Sequence, residues 1–168
     1  ASALLAGTVA PDEAHLSDLA GRSLPALRSY VRGRALYRQG RPDSAVAAFR
    51  DALHSDSTFA LAALGIAAAG GWTTTSLSLR YARDFALGWK LRGRLTSNDR
   101  ALFDAYVGPR EPAEQTDLAQ LAAWGRVYDL VPERAEVAYE YGDRLFHAGD
   151  YLGITRPQQQ AAQAFAYA

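Results

Sequence analysis

A repeated order of small and aromatic residues constrains this 168-residue chain more than any other feature. The first series is Gly33, Gly40, Ala45, Phe49 and Ala52, with spacings of 7, 5, 4 and 3 residues. The second series is Gly142, Gly149, Ala161, Phe165 and Ala168, with spacings of 7, 12, 4 and 3 residues. The two differ only by a seven-residue insertion in one loop. Such internal repetition predicts an array of similar supersecondary units, each packed on its neighbours.

The residues around the first series predict a helical hairpin. Apolar residues recur at helical spacing after Ser23, and the Gly40–Pro42 segment breaks the pattern. Pro42 suits the first turn of a second helix, and Asp43 favours a helix N-terminus. Two helices of about 14 residues joined by a tight turn form a helix–turn–helix unit.

Similar signals predict helices along the rest of the chain, at residues 59–69, 77–92, 97–107, 113–130 and 134–148, and from Pro157 onward. Thr96 and Asp99 have the spacing of a capping box at the start of the third of these. Sustained alternation of apolar and polar residues, the mark of a strand, does not occur in the sequence. We therefore expect an all-α fold of about 7–9 helices. Residues 1–22 are weakly patterned and predict a linker with a short helix near 11–20.

The two series resemble the signature of the tetratricopeptide repeat, a 34-residue helix–turn–helix unit. The match is good at Gly33–Ala52 and Gly142–Ala168, and degenerate between them. The resemblance implies a right-handed α-solenoid over residues 23–168, similar to the repeat arrays of large bacterial signalling and accessory proteins. It also implies a longer chain, because Ala168 falls inside the motif and a repeat array needs a capping helix.

In that family the first helices of successive hairpins line a concave groove that binds a peptide or helix. The matching offsets in this chain give the residues Tyr30, Arg34, Tyr37, Arg38, Tyr139, Asp143, Phe146 and His147. Aromatic and Arg side chains are suited to interface anchors. Tyr30 and Phe146 have a second interpretation as ordinary packing residues. The ten residues of the two series are expected to pack the hairpins together.

The resemblance implies a protein-binding scaffold. Two alternatives stay open: a permanent accessory subunit of a large multi-protein assembly, either membrane-associated or not, and a regulatory segment of a longer signalling enzyme. The partner is expected to be another protein or other subunits of a complex. The compartment stays undetermined between cytoplasm and periplasm.

The formal net charge of zero conceals an uneven distribution. Residues 22–100 carry thirteen basic and five acidic side chains, so +8, whereas residues 101–168 carry five basic and ten acidic ones, so −5. This pattern indicates either solvated helix faces or two electrostatically distinct surfaces. A run of Arg residues between Arg28 and Arg41, interleaved with tyrosines, raises nucleic acid as a ligand. The neutral total and the acidic second half disfavour it.

Residue types for catalysis and metal binding are sparse. The chain has no Cys, so thiolate chemistry is excluded. Its histidines, His15, His54 and His147, lie far apart in sequence and outside any known metal-binding spacing. Phosphate-binding loops and nucleophile elbows are also missing from the sequence. We therefore expect no enzymatic activity, no metal and no cofactor. The longest apolar run, Phe59–Trp72, is too short for a transmembrane helix.

Overall fold

The computed structural model describes residues 19–71, 81–108 and 116–168. Within these ranges the chain forms eight α-helices, one short 3₁₀ helix at Arg92–Arg94 and no strand. The all-α prediction is thus confirmed for the described part of the chain. The helices are α1 (Leu24–Arg38), α2 (Pro42–Ser55), α3 (Ala60–Gly70), α4 (Ala82–Leu91), α5 (Ser97–Val107), α6 (Asp117–Leu130), α7 (Ala135–Ala148) and α8 (Pro157–Phe165).

The helix boundaries follow local capping signals. The Ser23 hydroxyl accepts a hydrogen bond from the Ala26 amide at the start of α1, and Thr116 caps α6 in the same way. The N-cap half of the predicted capping box is confirmed, because the Thr96 hydroxyl accepts from the Asp99 amide at 3.1 Å; the same hydroxyl donates to the Asp99 carboxylate at 2.9 Å. The three bonds that these hydroxyls accept each satisfy an amide that the first helical turn leaves without an intrahelical partner.

The predicted helices agree with the structure to within a few residues wherever it describes them. The start of the predicted helix at 77–92 and of that at 113–130 lie outside the described residues, as does most of the predicted short helix at 11–20. Loop 149–156 and the start of the last helix at Pro157 are confirmed.

Most successive helices pack side by side, α4 and α5 being the exception, and α3 occupies the centre of the N-terminal half. Helix α1 packs on α2 and α3, and α3 also contacts α2, α4 and α5. Helix α3 is apolar on all sides, and all of its residues except Ala68 are buried. A helix without a polar face is stable in water only when neighbours surround it. Further along, α5 packs on α6, α6 on α7, and α7 on α8.

Polar side-chain contacts connect residues about one hairpin apart. Arg22 donates to Asp56 at 2.9 Å, and Arg50 donates to both carboxylate oxygens of Asp84, at 3.2 and 2.6 Å; both pairs are 34 residues apart. The hydroxyl of Tyr151 donates to Asp117, again 34 residues away. Other long-range side-chain hydrogen bonds join residues 35 to 38 positions apart, such as Arg134 with Asp99 and Tyr81 with Asp43.

Gly40 and Gly149, the turn glycines of the two series, have different backbone conformations. Gly40 follows α1 with a φ of +68°, a left-handed conformation that glycine adopts at low cost, as predicted. Gly149 instead has a φ of −59°, and the left-handed residues in that loop are Gly153, at +73°, and Arg156, at +52°. Gly149 is required for another reason: a Cβ there would lie 2.2 Å from the Pro157 Cβ. In this longer loop, the left-handed backbone conformation thus occurs after Gly149 and not at Gly149 itself.

Ala168 was expected inside a helix, and this prediction is wrong. Helix α8 ends at Phe165, and Ala168 is exposed. The amides of Tyr167 and Ala168 bond to carbonyls three residues earlier, at 3.0 and 3.2 Å. Such bonds are typical of the tightened last turn of a helix. The Ala52 position of the first series, in contrast, is fully buried within α2.

Candidate functional site

The Phe49 ring forms the centre of a tight three-helix contact. It extends from α2 between two glycines, and a Cβ at either Gly33 in α1 or Gly65 in α3 would approach the ring to 2.6 Å. Phe49 is 1% exposed. Ala45 and Ala52, on the same helix, are also buried. The repeat-packing residues of the first hairpin thus bring three helix backbones close to one aromatic ring.

The last hairpin reproduces half of this contact. Phe165 of α8 lies against Gly142 of α7, where a Cβ would come within 2.8 Å of the ring. Ala161 is buried beside it. Phe165, however, is 37% exposed, in contrast to Phe49. One side of the ring therefore packs as in the first hairpin, while the remainder is accessible to solvent.

A tyrosine three residues before each helix glycine extends the similarity. The ring centroids of Tyr30 and Phe49 are 5.8 Å apart with an interplanar angle of 50°, and those of Tyr139 and Phe165 are 5.7 Å apart at 50°. Tyr30 is only 5% exposed, and it also contacts Phe59, which precedes α3, at 5.0 Å. Tyr139 is 37% exposed. The same aromatic pair is thus buried in the first hairpin and accessible in the last.

We call the aromatic and charged residues on this side of α7, together with Phe165, the terminal face. It comprises Tyr139, Asp143, Phe146 and His147 of α7, which share one side of that helix by their spacing, together with Phe165. Phe146 is 55% exposed and packs edge-on against the His147 ring at 5.1 Å. The Asp143 carboxylate lies 2.7 Å from Arg144 and 3.4 Å from the His147 imidazole. The face combines aromatic rings with a carboxylate.

The four residues predicted for partner binding on α1 have a different environment. Tyr30 lies in the core, Arg34 and Tyr37 are half-buried, and Arg38 is exposed. Arg34 donates to the Tyr30 hydroxyl at 3.2 Å. The structure therefore brings together the predicted residues of α7, whereas most of those on α1 serve contacts within the molecule.

Charges on other helices act on Arg34. Burial by itself lowers the pKa of this guanidinium, but the Tyr30 hydroxyl and two carboxylates outweigh it and raise the pKa. The carboxylates belong to Glu136 of α7 and Asp99 of α5. The Arg34 side of α1 is thus directed towards the acidic second half of the chain, and the attraction stabilises the folded structure.

Asp99 is the most buried charged residue in the described part of the chain, and only 1% of it is exposed. Arg134, which precedes α7, donates to its carboxylate at 2.8 Å, and the Thr96 hydroxyl donates to its other oxygen. A buried carboxylate needs such partners to offset the loss of hydration.

Burial also raises the pKa of the Tyr106 phenol well above its usual value, with the Tyr37 hydroxyl and the Glu140 carboxylate adding to the shift.

Metal-ligating residues do not cluster in the described ranges. Within them, no group of three His, Asp or Glu residues is placed to hold a metal ion. His54 and His147 are both exposed and belong to α2 and α7, and His15 lies outside the described residues. No helix in the described ranges is both long and apolar enough to cross a membrane.

Two features of the structure were not identified from the sequence, one on the terminal face and one in the core. Phe165 was assigned only to packing between hairpins, and its exposure depends on what lies against α8, which the motif does not specify. The buried ion pair between Asp99 and Arg134 was also not predicted, although the capping spacing of Thr96 and Asp99 was recognised. A search for opposite charges one repeat length apart would have found this pair, since the two residues are 35 positions apart.

Comparison with known proteins does not add an identity to this geometry. No family model matches the chain, and neither a curated protein nor a solved structure matches it.

Proposed function

We propose that this chain is a non-catalytic scaffold that binds another polypeptide through the terminal face. The observation that supports this most strongly is the exposure of Tyr139 and Phe146 on one side of α7, next to a carboxylate. Large aromatic side chains are costly to leave in water, and clusters of them mark interaction surfaces. Aromatic residues also supply much of the binding energy at protein interfaces.

The proposed architecture is a right-handed superhelix of tetratricopeptide-like hairpins, formed by α1–α2, α3–α4, α5–α6 and α7–α8. Side-chain contacts 34 residues apart support a repeat of that length. The matching tyrosine–phenylalanine pairs of the first and last hairpins support it independently. Under this architecture, α7 and α8 end the described array, and the terminal face is the surface against which a further helix would stack.

Binding would rely on shape and charge complementarity, without making or breaking covalent bonds. A partner that covers Phe146 removes its ring from water, which stabilises a complex by up to about 1.5–3 kcal/mol. The acidic second half of the chain, with its net charge of −5, favours a partner that carries basic side chains. Charge attraction of this kind mainly accelerates association and selects among partners.

The test is native purification of the tagged protein from its source, followed by quantitative mass spectrometry of the proteins that accompany it. Phe146→Ala should reduce the amount of the bound partner. Leu130→Ala is the matched control, because Leu130 in α6 is 56% exposed, close to the 55% of Phe146, but lies off the terminal face. A partner retained equally by both variants would refute the proposed face.

The same purification separates this proposal from the two alternatives. A permanent accessory subunit would copurify with stoichiometric partners that resist salt. A transient scaffold would lose its partner as the salt concentration rises, because charge attraction between exposed groups is screened. A regulatory segment would be recovered as part of a longer polypeptide, with the repeats contacting their own chain.

A further inference from the structure

The first hairpin shows what covers the surface that is exposed in the last one. Phe59 and α3 lie against Tyr30 and Phe49, which correspond to Tyr139 and Phe165 by their offsets from Gly33 and Gly142. The two aromatic pairs have the same centroid separation to within 0.1 Å and the same angle. The molecule therefore contains an occupied copy of the aromatic pair that is exposed on its terminal face.

The occupied copy defines the shape of its occupant. Helix α3 begins directly after an aromatic residue, Phe59, whose ring packs on Tyr30. Six residues later, Gly65 meets the Phe49 ring, where a Cβ would be only 2.6 Å away. A larger residue at that position would push the helix off the ring. The remaining buried residues of α3 are small or aliphatic, which allows a close approach of the backbones.

The residue that follows the helix glycine has opposite charge in the first and the last hairpin. Arg34 follows Gly33, and its guanidinium is attracted by the acidic Asp99 and Glu136. The corresponding residue after Gly142 is Asp143, a carboxylate. Arg144 lies between two carboxylates, 2.7 Å from that of Asp143 and 3.3 Å from that of Glu140, so one negative charge of this group is left over, and α8 carries no charged side chain that could balance it. A complementary occupant thus places a basic group near Asp143.

We propose that the terminal face binds an apolar helix from a partner protein that begins with an aromatic residue, has glycine six positions later, and carries a flanking basic side chain. This inference rests on the proposed function and specifies the chemistry of the partner. The aromatic residue packs on Tyr139, and the glycine lies over the exposed side of the Phe165 ring. The basic group pairs with Asp143.

The probe is a fluorescent peptide of residues 56–71, which contains Phe59 and Gly65, followed by a short lysine tail for solubility and charge. Fluorescence anisotropy with the purified protein should show saturable binding. Phe165→Ala should weaken binding roughly tenfold or more, as expected for an interface hot spot. Leu130→Ala, at an equally exposed position of α6, should leave the affinity unchanged.

A second variant avoids any effect on folding, because it lies in the peptide. Replacing the glycine that corresponds to Gly65 with leucine should also reduce the affinity roughly tenfold or more. Equal binding of the two peptides, an absence of saturable binding, or insensitivity to Phe165→Ala would each overturn the inference. Concentration-dependent self-association of the protein that Phe165→Ala abolishes would assign the face to a second copy and also overturn it.

Failure here is distinguishable from failure of the proposed function. If Phe146→Ala removes a copurifying partner while neither peptide binds, the face binds a polypeptide of different chemistry. If the peptide binds as expected while Phe146→Ala leaves the amount of every copurified protein unchanged, the terminal face can bind a helix, but the proposed function is wrong.

Discussion

Gly33→Ala should destabilise the protein, even though alanine is the better helix former. In the middle of an exposed helix, the change from glycine to alanine stabilises by about 0.5–1 kcal/mol. At Gly33 the new methyl group would lie 2.6 Å from the Phe49 ring. The ring has little room to withdraw, because Gly65 also packs closely on it, so closely that a Cβ there would lie 2.6 Å from the ring. Overpacking of a core costs about 1–3 kcal/mol, so we expect a net loss of about 1–2 kcal/mol.

Two matched substitutions complete this test. Gly125→Ala, in the middle of α6, brings a methyl group to 3.4 Å from the Tyr141 ring, an ordinary contact, and should stabilise by about 0.5–1 kcal/mol. Gly142→Ala resembles Gly33→Ala in its contact, at 2.8 Å from Phe165. Because Phe165 is partly exposed, its ring can move aside, and the net effect should stay within about 0.5 kcal/mol of zero.

The assay is urea denaturation followed by far-ultraviolet circular dichroism, with a second probe to test two-state behaviour. The three free energies of unfolding should rank Gly125→Ala above Gly142→Ala above Gly33→Ala. A Gly33→Ala protein as stable as Gly125→Ala would refute the three-helix contact at Phe49. A Gly142→Ala protein as unstable as Gly33→Ala would show that the Phe165 ring is held as tightly as Phe49, and the terminal face would then be covered.

Three further predictions concern charge and surface residues. Asp99→Ala should lower the free energy of unfolding by about 2–4 kcal/mol in urea titrations, because it leaves Arg134 and Thr96 without their buried carboxylate partner. Hydrogen bonds from Arg22 and Thr58 hold the pKa of Asp56 below its usual value of 3.8. Since folding lowers this pKa, the difference in unfolding free energy between wild type and Asp56→Asn should be complete at pH 6 and shrink below roughly pH 4, as Asp56 is protonated. A difference that grows in acid would contradict the assignment. Phe146→Ala should change stability by less than about 0.5 kcal/mol in thermal unfolding, since a half-exposed ring supports little of the core, so any loss of partner binding would not reflect unfolding.

Local signals made the helices predictable from the sequence. Pro42 at the start of α2 and the pairing of Thr96 with Asp99 depend on neighbours within a few residues, so they are visible in the sequence. The contact between Gly33 and Phe49 was predictable for a related reason, because it lies within one hairpin. Helix ends at residues 38 and 55 follow from the same local chemistry.

Contacts between hairpins were much harder to predict. For Tyr30 the sequence left two interpretations open, a binding surface and ordinary packing, and Phe59 of the next hairpin buries it. Arg34 was expected to face a partner, whereas charges from α5 and α7 act on it. Residues of the same type at the same offset therefore have opposite exposure in the first and last hairpins. The difference depends on which helix lies against them, which a motif within one hairpin does not encode.

Hydrogen–deuterium exchange of the protein, alone and with its copurified partner, would locate the binding surface directly. Binding through the terminal face predicts slower exchange in α7 and α8, at residues 135–148 and 157–165, with little change in α6. Protection confined to the arginine-rich α1, or the same slight protection throughout the chain, would contradict binding at the terminal face.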